Sequence, residues 1–229
     1  MGKFNLASLQ TRLVSGLILA GAVTVLIYIG GLPFLAMVGV FTFVAGYEWL
    51  RLAKHLPYSY LHMLAGLVYI AFGFWSGYAL REVYGIAIAF LFVGLIWLSD
   101  TGAYFMGKTI GGPKLARHIS PNKTWAGFAG AVLCPALFFV LFLALYVMFM
   151  NAPQPSVLTY LFAAAIGGAI GVTGQVGDLL VSFFKRRAAV KDTGDIIPGH
   201  GGVLDRVDSL LLGAPVFYYL ISAFPLFHG

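Results

Sequence analysis

The chain has 229 residues, of which 60% are hydrophobic and only 10% are charged, and its formal net charge is +6. Soluble domains typically carry about 25% charged residues, so this composition excludes an ordinary soluble fold and favours an integral membrane protein. The positive charge predicts anionic headgroups or phosphorylated substrates as partners, and no nucleic acid, because the basic residues do not gather on one soluble face.

Seven apolar segments are long enough, or nearly so, to cross a bilayer, which takes about 20 helical residues. In chain order they are 13–31, 33–50, 62–80, 84–99, 126–150, 157–174 and 209–227. The first exceeds the roughly 7–15 apolar residues of a signal peptide, so we expect it to be retained. The predicted fold class is all-α: a polytopic helical membrane bundle of about seven transmembrane helices, forming a single domain over residues 1–229.

The basic residues test this count of spans. With seven spans, thirteen of the fourteen Lys and Arg residues fall on one side, and Arg81 alone falls on the other. Loops on the cytoplasmic side of a membrane carry an excess of Lys and Arg. We therefore expect a cytoplasmic N-terminus and two long cytoplasmic segments, 100–125 and 175–208, that meet over one cavity.

The first cytoplasmic segment begins with Asp100 at the expected membrane boundary and ends with the polar residues before the fifth span. We interpret Asp100 and Lys123 as substrate contacts. Ser120 could contribute as well, but a Ser-Pro pair is equally an ordinary signal for the start of a helix, and both interpretations stay open.

A polar stripe runs from the sixth span into the second cytoplasmic segment. Gly171, Gly174, Asp178, Ser182 and Lys185 follow each other at intervals of three and four residues, so they share one helical face. Carboxylate and hydroxyl oxygens suit Mg²⁺, which completes its shell with water and substrate phosphates. The simpler alternative is a solvated helix end.

A glycine-rich loop with His200 at its centre follows, and Asp205, Arg206 and Asp208 come directly after it. Glycines at Gly201 and Gly202 can adopt positive φ and direct backbone N–H groups at an anion. Asp205 and Asp208, three residues apart, can point the same way towards a metal. Capping of the next helix would explain one of these carboxylates, but not the whole set.

The remaining charged residues divide into two groups. Lys185, Arg186 and Lys191 are candidates for phosphate contacts, and Asp192 could orient Lys191. The sequence places Glu48 at the end of a span beside Arg51 and Trp49, which is typical of an anchoring pair at the membrane interface.

The pattern S-x-x-K-R-x₄-K-D-x₅-P-G-H-G-G-x-L-D-R-x-D, from Ser182 to Asp208, closely resembles the signature of the phosphatidate cytidylyltransferases. Gly174 to Leu179 resembles the lead-in to that signature, and 100–104 with 119–125 resembles the other cytoplasmic motif of the family. Together these matches cover about a quarter of the chain. Two positions depart from the pattern, because Val181 and Ala126 stand where many members have Glu. The chain is also short for the family, which suggests that early spans are missing.

The resemblance implies a Mg²⁺-dependent reaction in which CTP and phosphatidate give CDP-diacylglycerol and diphosphate. It implies CTP, phosphatidate and membrane lipids as partners, a multi-pass location in the inner (plasma) membrane and a site facing the cytoplasm; a homodimer is a further option. The expected catalytic residues are Asp178, Lys185, Asp205, Asp208 and His200. The expected metal ligands are Asp178, Asp205 and Asp208. The expected substrate-binding residues are Ser182, Arg186, Lys191, Asp192, Gly201, Gly202, Arg206, Asp100, Ser120 and Lys123.

Three other classes of protein compete with this interpretation. A CTP-dependent kinase of lipid alcohols, such as a polyprenol kinase, shares both the nucleotide and the membrane. A transporter would place carboxylates deep in several helices, whereas those of this chain gather at span ends. A CDP-alcohol phosphotransferase would need a D-G-x-x-A-R motif, which the sequence lacks.

Overall fold

The computed structural model describes residues 6–197 and 201–223, with side chains from residue 14 onwards. In this part of the chain there are six helices and one small β-hairpin. The helices are α1 (Leu6–Ile29), α2 (Gly31–Ala53), α3 (Ser59–Thr109), α4 (Trp125–Met150), α5 (Val157–Arg187) and α6 (Leu204–Ser222). The hairpin joins β1 (Lys114–Ala116) to β2 (Ser120–Thr124). The all-α class is confirmed, and the hairpin is an addition that the sequence did not predict.

Most of the described helices have an apolar character that suits membrane spans. Four of them, α2, α3, α4 and α5, are long and apolar enough to cross a bilayer, and α1 contains a shorter apolar helical stretch, Val14–Ile29. Large apolar side chains such as Leu137, Phe149 and Leu161 stand exposed on the outer faces, as contact with lipid requires. The chain is therefore an all-helical membrane protein.

Helix α3 contains two of the predicted spans, 62–80 and 84–99, and it is 51 residues long. Gly85 interrupts it with φ 84° and ψ −179°, a conformation that only glycine adopts readily. Before Gly85 the helix runs parallel to α6, since Gly73 meets Leu211 and Tyr84 meets Tyr218. After Gly85 it runs antiparallel to α6, since Phe92 meets Phe217 and Ile96 meets Gly213. The two halves of α3 therefore run in opposite directions.

Glycines allow α3, α4 and α5 to approach closely. A Cβ at Gly102 would lie 2.5 Å from the carbonyl oxygen of Gly130, and one at Gly171 would clash with the carbonyl oxygen of Ala131. Gly167 meets Pro135 in the same way, so α5 runs antiparallel to α4. Small residues at helix contacts bring backbones together where lipid gives little hydrophobic driving force between helices.

These directions bring the ends of α2 and α5 and the start of α6 together at one end of the bundle. Lys185 meets Asp205, and Gly177 meets Asp208, so the end of α5 lies beside the start of α6. The end of α2 joins them through Glu48, which bonds to the start of α6. Arg81 lies at the opposite end, where its Nε donates to the carbonyl of Ile27 near the end of α1. Polar residues that are distant in sequence therefore share one end of the molecule.

We predict that Gly171→Ala destabilises the bundle by about 1–3 kcal/mol, because the new methyl group forces α5 away from the Ala131 carbonyl. Thermal unfolding of the purified protein in detergent measures this. Gly39→Ala is the matched control, because a Cβ at Gly39 meets nothing within 4 Å. Equal melting temperatures for the two variants would contradict the packing argument.

Candidate active site

Three carboxylates from three helices form what we call the acidic cluster: Asp100 of α3, Asp178 of α5 and Asp208 of α6. Electrostatic repulsion links Asp100 to Asp178, and links Asp208 to both of the others. Gly177 makes the arrangement possible, because a Cβ there would lie 2.5 Å from the carbonyl oxygen of Asp208. Asp208 is buried, and its Oδ1 accepts the backbone N–H of Ser209 at 2.8 Å.

Lys123 connects the two polar segments that the sequence singled out. Its ammonium lies 2.6 Å from Oδ2 of Asp178 and donates to Oε1 of Gln175 at 2.7 Å. The Nε2 of Gln175 reaches Oδ1 of Asp100 at 3.5 Å, and the hydroxyl of Ser182 donates to Oδ1 of Asp178 at 3.1 Å. The segments 100–125 and 175–208 therefore meet here. Gln175 was not among the predicted residues, although it lies three residues before Asp178 on the same helical face.

Asp205 lies among hydrogen-bond donors supplied by the protein. Its Oδ1 is 2.5 Å from the buried ammonium of Lys185. Its Oδ2 accepts the backbone N–H groups of Thr193 and Gly202, at 2.8 and 3.2 Å, and lies 3.0 Å from the hydroxyl of Thr193. Asp205 precedes the predicted span 209–227. Burial raises the cost of ionising it, but the bonds from Lys185, Thr193 and Gly202 outweigh this cost and lower its pKa.

The three predicted metal ligands do not together form a preformed metal site in the described part of the chain. Within residues 6–197 and 201–223, no group of three His, Cys, Asp or Glu side chains could hold a metal ion as it stands. The oxygens of Asp205 accept bonds from Lys185, Thr193 and Gly202, and those of Asp178 accept bonds from Lys123 and Ser182. Asp178, Asp205 and Asp208 stay predicted ligands of an oxygen-coordinated cation.

Two buried hydroxyls near the acidic cluster have no hydrogen-bond partner in the described part of the chain, those of Tyr69 and Ser99. Ser99 immediately precedes Asp100, and Asp208 acts electrostatically on Tyr69. A buried polar group without a protein partner is costly, so water, an ion or a ligand beside it would be stabilising. Mutually repelling carboxylates beside such hydroxyls fit a hydrated divalent cation and its phosphate ligand.

Glu48 has a different role from the one predicted. It is buried, and it pairs with the start of α6 and not with Arg51, whose guanidinium instead lies 5.9 Å from the centre of the Tyr47 ring. Its two oxygens accept the backbone N–H groups of Val203 and Leu204, at 3.0 and 2.8 Å. A carboxylate at this position satisfies N–H groups that a helix start leaves unpaired.

Glu48 also holds the loop that precedes α6. The hydroxyl of Thr193 lies 3.0 Å from Oε2 of Glu48, and a Cβ at Gly202 would lie 2.5 Å from the same oxygen. Because Thr193 and Gly202 both donate to Asp205, Glu48 supports the position of Asp205 indirectly. Nothing in the local sequence indicated this role, because a carboxylate at a span end beside Trp is typical of an anchor at the membrane interface.

The other predicted residues lie around this centre. Arg186 is exposed, and its Nε donates to the carbonyl of Ile119 at 3.2 Å, which places it beside the start of β2 at Ser120. Lys191 and Asp192 are exposed, and Asp192 lines a small cavity of about 150 Å³ with Arg51.

The glycine loop is described in part. Gly201 has φ 81° and pairs with Ile197, and Gly202 is buried. His200 lies outside the described residues. Val181, one of the two departures from the family pattern, is buried in an apolar cluster with Leu204.

The fold and the site are those of an integral membrane protein whose polar site lies at one end of a helical bundle. Comparison with known families then identifies it further, because a model of the cytidylyltransferase family matches residues 57–224. The chain belongs to that family. Glu48 lies outside the matched residues.

Several relatives carry the name phosphatidate cytidylyltransferase, among them the following three. The protein from Bacillus subtilis is 43% identical over 143 residues, covering 62% of this chain and 50% of the relative. That from Rickettsia bellii is 33% identical over 220 residues, covering 93% and 91%. That from Staphylococcus haemolyticus is 39% identical over 160 residues, covering 69% and 57%. The chain thus spans about half of the first relative and nearly all of the second.

We predict that Glu48→Gln lowers the melting temperature, because an amide N–H₂ would face two backbone N–H donors and leave one of them unsatisfied, at a cost of about 1–3 kcal/mol. Proteolysis of the 188–203 loop should accelerate, since the loop loses its bond to α2.

Glu82→Gln is the matched control for this substitution. Glu82 lies 3.7 Å from Arg81 at the other end of the bundle and is partly exposed, so its ion pair contributes at most about 1 kcal/mol. The capping role of Glu48 is wrong if both variants melt and are cleaved alike.

Proposed function

We propose that this protein transfers the cytidylyl group of CTP to phosphatidate, giving CDP-diacylglycerol and diphosphate for phospholipid synthesis. The observation that carries the proposal is the acidic cluster, bridged by Lys123 and Gln175 between the two segments that resemble the family motifs. Membership of the cytidylyltransferase family and the names of the three relatives support it. They do not favour a lipid-alcohol kinase or a transporter.

We further propose that the chain crosses the inner membrane seven times with its N-terminus and its site in the cytoplasm. The opposed halves of α3 on either side of Gly85 support two crossings by that helix. The position of Arg81, at the end of the bundle away from the acidic cluster, supports the predicted segregation of charge. The options of a homodimer and of missing early spans stay predictions.

Asp178 and Asp208 would hold Mg²⁺, with the Asp100 carboxylate close by. When bound, this ion would neutralise charge on the phosphates and polarise the phosphorus that is attacked. Asp205, whose oxygens accept bonds from Lys185 and Thr193, would orient Lys185, and its part in metal binding stays a prediction. The hydroxyl of Ser182 in turn orients Asp178.

The reaction joins two anions, so the protein must position them and offset their repulsion. A phosphatidate oxygen attacks the α-phosphorus of CTP, the bond between the α-phosphorus and its bridging oxygen breaks, and diphosphate leaves with the electron pair. The lipid phosphate is already ionised and needs no strong general base. Lys123 and Lys185 lie where they can bind phosphate oxygens, and Arg186, Lys191, Arg206 and the His200 loop remain proposed contacts.

The position of the label in CTP separates the proposed reaction from that of a kinase. With purified protein, phosphatidate and Mg²⁺, label from the α-phosphate of CTP should enter lipid and label from the γ-phosphate should not. We predict that Asp178→Asn lowers this α-transfer by roughly 100- to 1000-fold, because it removes a carboxylate that would hold the Mg²⁺ whose positive charge offsets that of the phosphates. Glu82→Gln should keep full activity. Transfer of γ-label, or near-normal turnover by Asp178→Asn, would overturn the proposal.

A second test concerns the unpartnered hydroxyl of Tyr69, which we propose donates to a substrate phosphate or to water bound beside Asp208. Tyr69→Phe should leave the melting temperature unchanged or raise it, because the hydroxyl has no protein partner to lose. It should lower kcat/KM by about tenfold, as loss of one hydrogen bond to a charged group does. Unchanged kinetics would contradict this role.

A further inference from the structure

An apolar cavity of about 550 Å³ lies between α1, α2, α3 and α6. Its lining includes Val23 of α1, Phe41 of α2, Gly77 and Phe92 of α3, and Leu210 of α6. Ligand cavities in proteins commonly have volumes of roughly 300–1000 Å³ and largely apolar walls. The proposed reaction centre uses none of these side chains.

One side of the cavity leads to the polar end of the bundle. Ile197, Val203 and Arg206 also line it, and they belong to the loop and helix start that carry Asp205. Arg206 is exposed and acts electrostatically on Asp100 of the acidic cluster. The same cavity therefore combines apolar walls inside the bundle with a guanidinium close to the proposed site of reaction.

We infer that this cavity holds an acyl chain of phosphatidate, while Arg206 contacts the phosphate of the same molecule. The inference rests on the proposed function and names the position of its lipid substrate. Apolar walls favour a hydrocarbon chain, because each methylene removed from water adds to the binding free energy. Guanidinium groups bind phosphate oxygens in a bidentate manner. A nucleotide, whose groups are mostly polar, does not suit such walls.

The position of Arg206 also accounts for how the lipid would be oriented. A chain inside the cavity and a phosphate at Arg206 place the phosphate within electrostatic reach of Asp100, and so beside the acidic cluster. Headgroups without a phosphate monoester would lose part of this attraction. The cavity therefore selects by chain length, and Arg206 selects by charge.

Gly77 offers a substitution that reduces the cavity. It lines the cavity, and a Cβ built on it meets nothing within 4 Å, so Gly77→Leu would fill the space without a clash at the Cβ. Gly39→Leu is the matched control, because Gly39 is exposed, meets nothing within 4 Å and is not part of the lining. Both variants would be assayed in detergent micelles with dioleoyl and with dihexanoyl phosphatidate.

For Gly77→Leu we expect kcat/KM with dioleoyl phosphatidate to fall about tenfold relative to that with dihexanoyl phosphatidate, because a few methylene contacts are lost. The KM for CTP should not change. Gly39→Leu should keep the wild-type ratio of the two substrates. The inference is wrong if Gly77→Leu leaves the ratio of kcat/KM for the two phosphatidates unchanged. An equal loss of activity with both substrates is such a result, and it is expected for a cavity filled by bulk lipid.

A second measurement does not depend on the folding of a variant. Wild-type protein would be irradiated with phosphatidate that carries a diazirine at the end of one acyl chain, and the labelled peptides mapped by mass spectrometry. Label in cavity-lining segments of α1, α2 and α3, displaced by dioleoyl phosphatidate, supports the inference; label confined to outward faces contradicts it. If wild-type protein makes no CDP-lipid from either phosphatidate, the proposed function fails, whatever the labelling shows.

Discussion

The contact between α5 and α6 determines the geometry of the site, because the two helices together carry four of its charged groups. Gly177 lets the backbones approach at the level of Asp208, and the buried pair of Lys185 and Asp205 joins the helices further along. Removing one partner of a buried ion pair leaves an uncompensated charge, which costs much more than the pair itself contributes. The pair therefore fixes the relative position of the helices, and with it the distance between Asp178 and Asp208.

A second constraint acts from outside these helices. The start of α6 has backbone N–H groups that need acceptors, and Glu48 supplies them from α2. Thr193 lies between Glu48 and Asp205 and is within hydrogen-bond distance of both. A chain of hydrogen bonds thus extends from α2 through the loop to Lys185, so that the loop before α6 is held on two sides.

Much of this arrangement could be read from the sequence. Hydropathy located the helices, and the spacing of Asp178, Ser182 and Lys185 placed them on one helical face, because both signals are local and periodic. The meeting of the two polar segments also followed from charge segregation. Asp100, Lys123 and Asp208 lie in the acidic cluster or are bonded to it.

The parts that the sequence did not predict depend on contacts between distant residues. Glu48 is separated from Leu204 by 156 positions, and no local pattern indicates that pairing. In the sequence, Asp205 and Asp208 are equivalent candidates for a metal ligand. The hydrogen bonds from Thr193 and Gly202 to Asp205 are visible only in the structure. The hairpin at 114–124 was missed because its strands are short and polar.

The proline in α4 has a mechanical consequence. Pro135 has no N–H to donate to the carbonyl of Ala131, so the ladder of α4 lacks one bond there, and that same carbonyl faces Gly171 of α5. A weak Cα–H···O contact can occupy it from the neighbouring helix. The missing bond lowers the bending stiffness of α4 between its outer half and the half that follows Lys123. The close approach of Gly171 therefore supports α4 from α5 at the place where its own hydrogen-bond ladder is weakest, between Lys123 and the outer half of the helix.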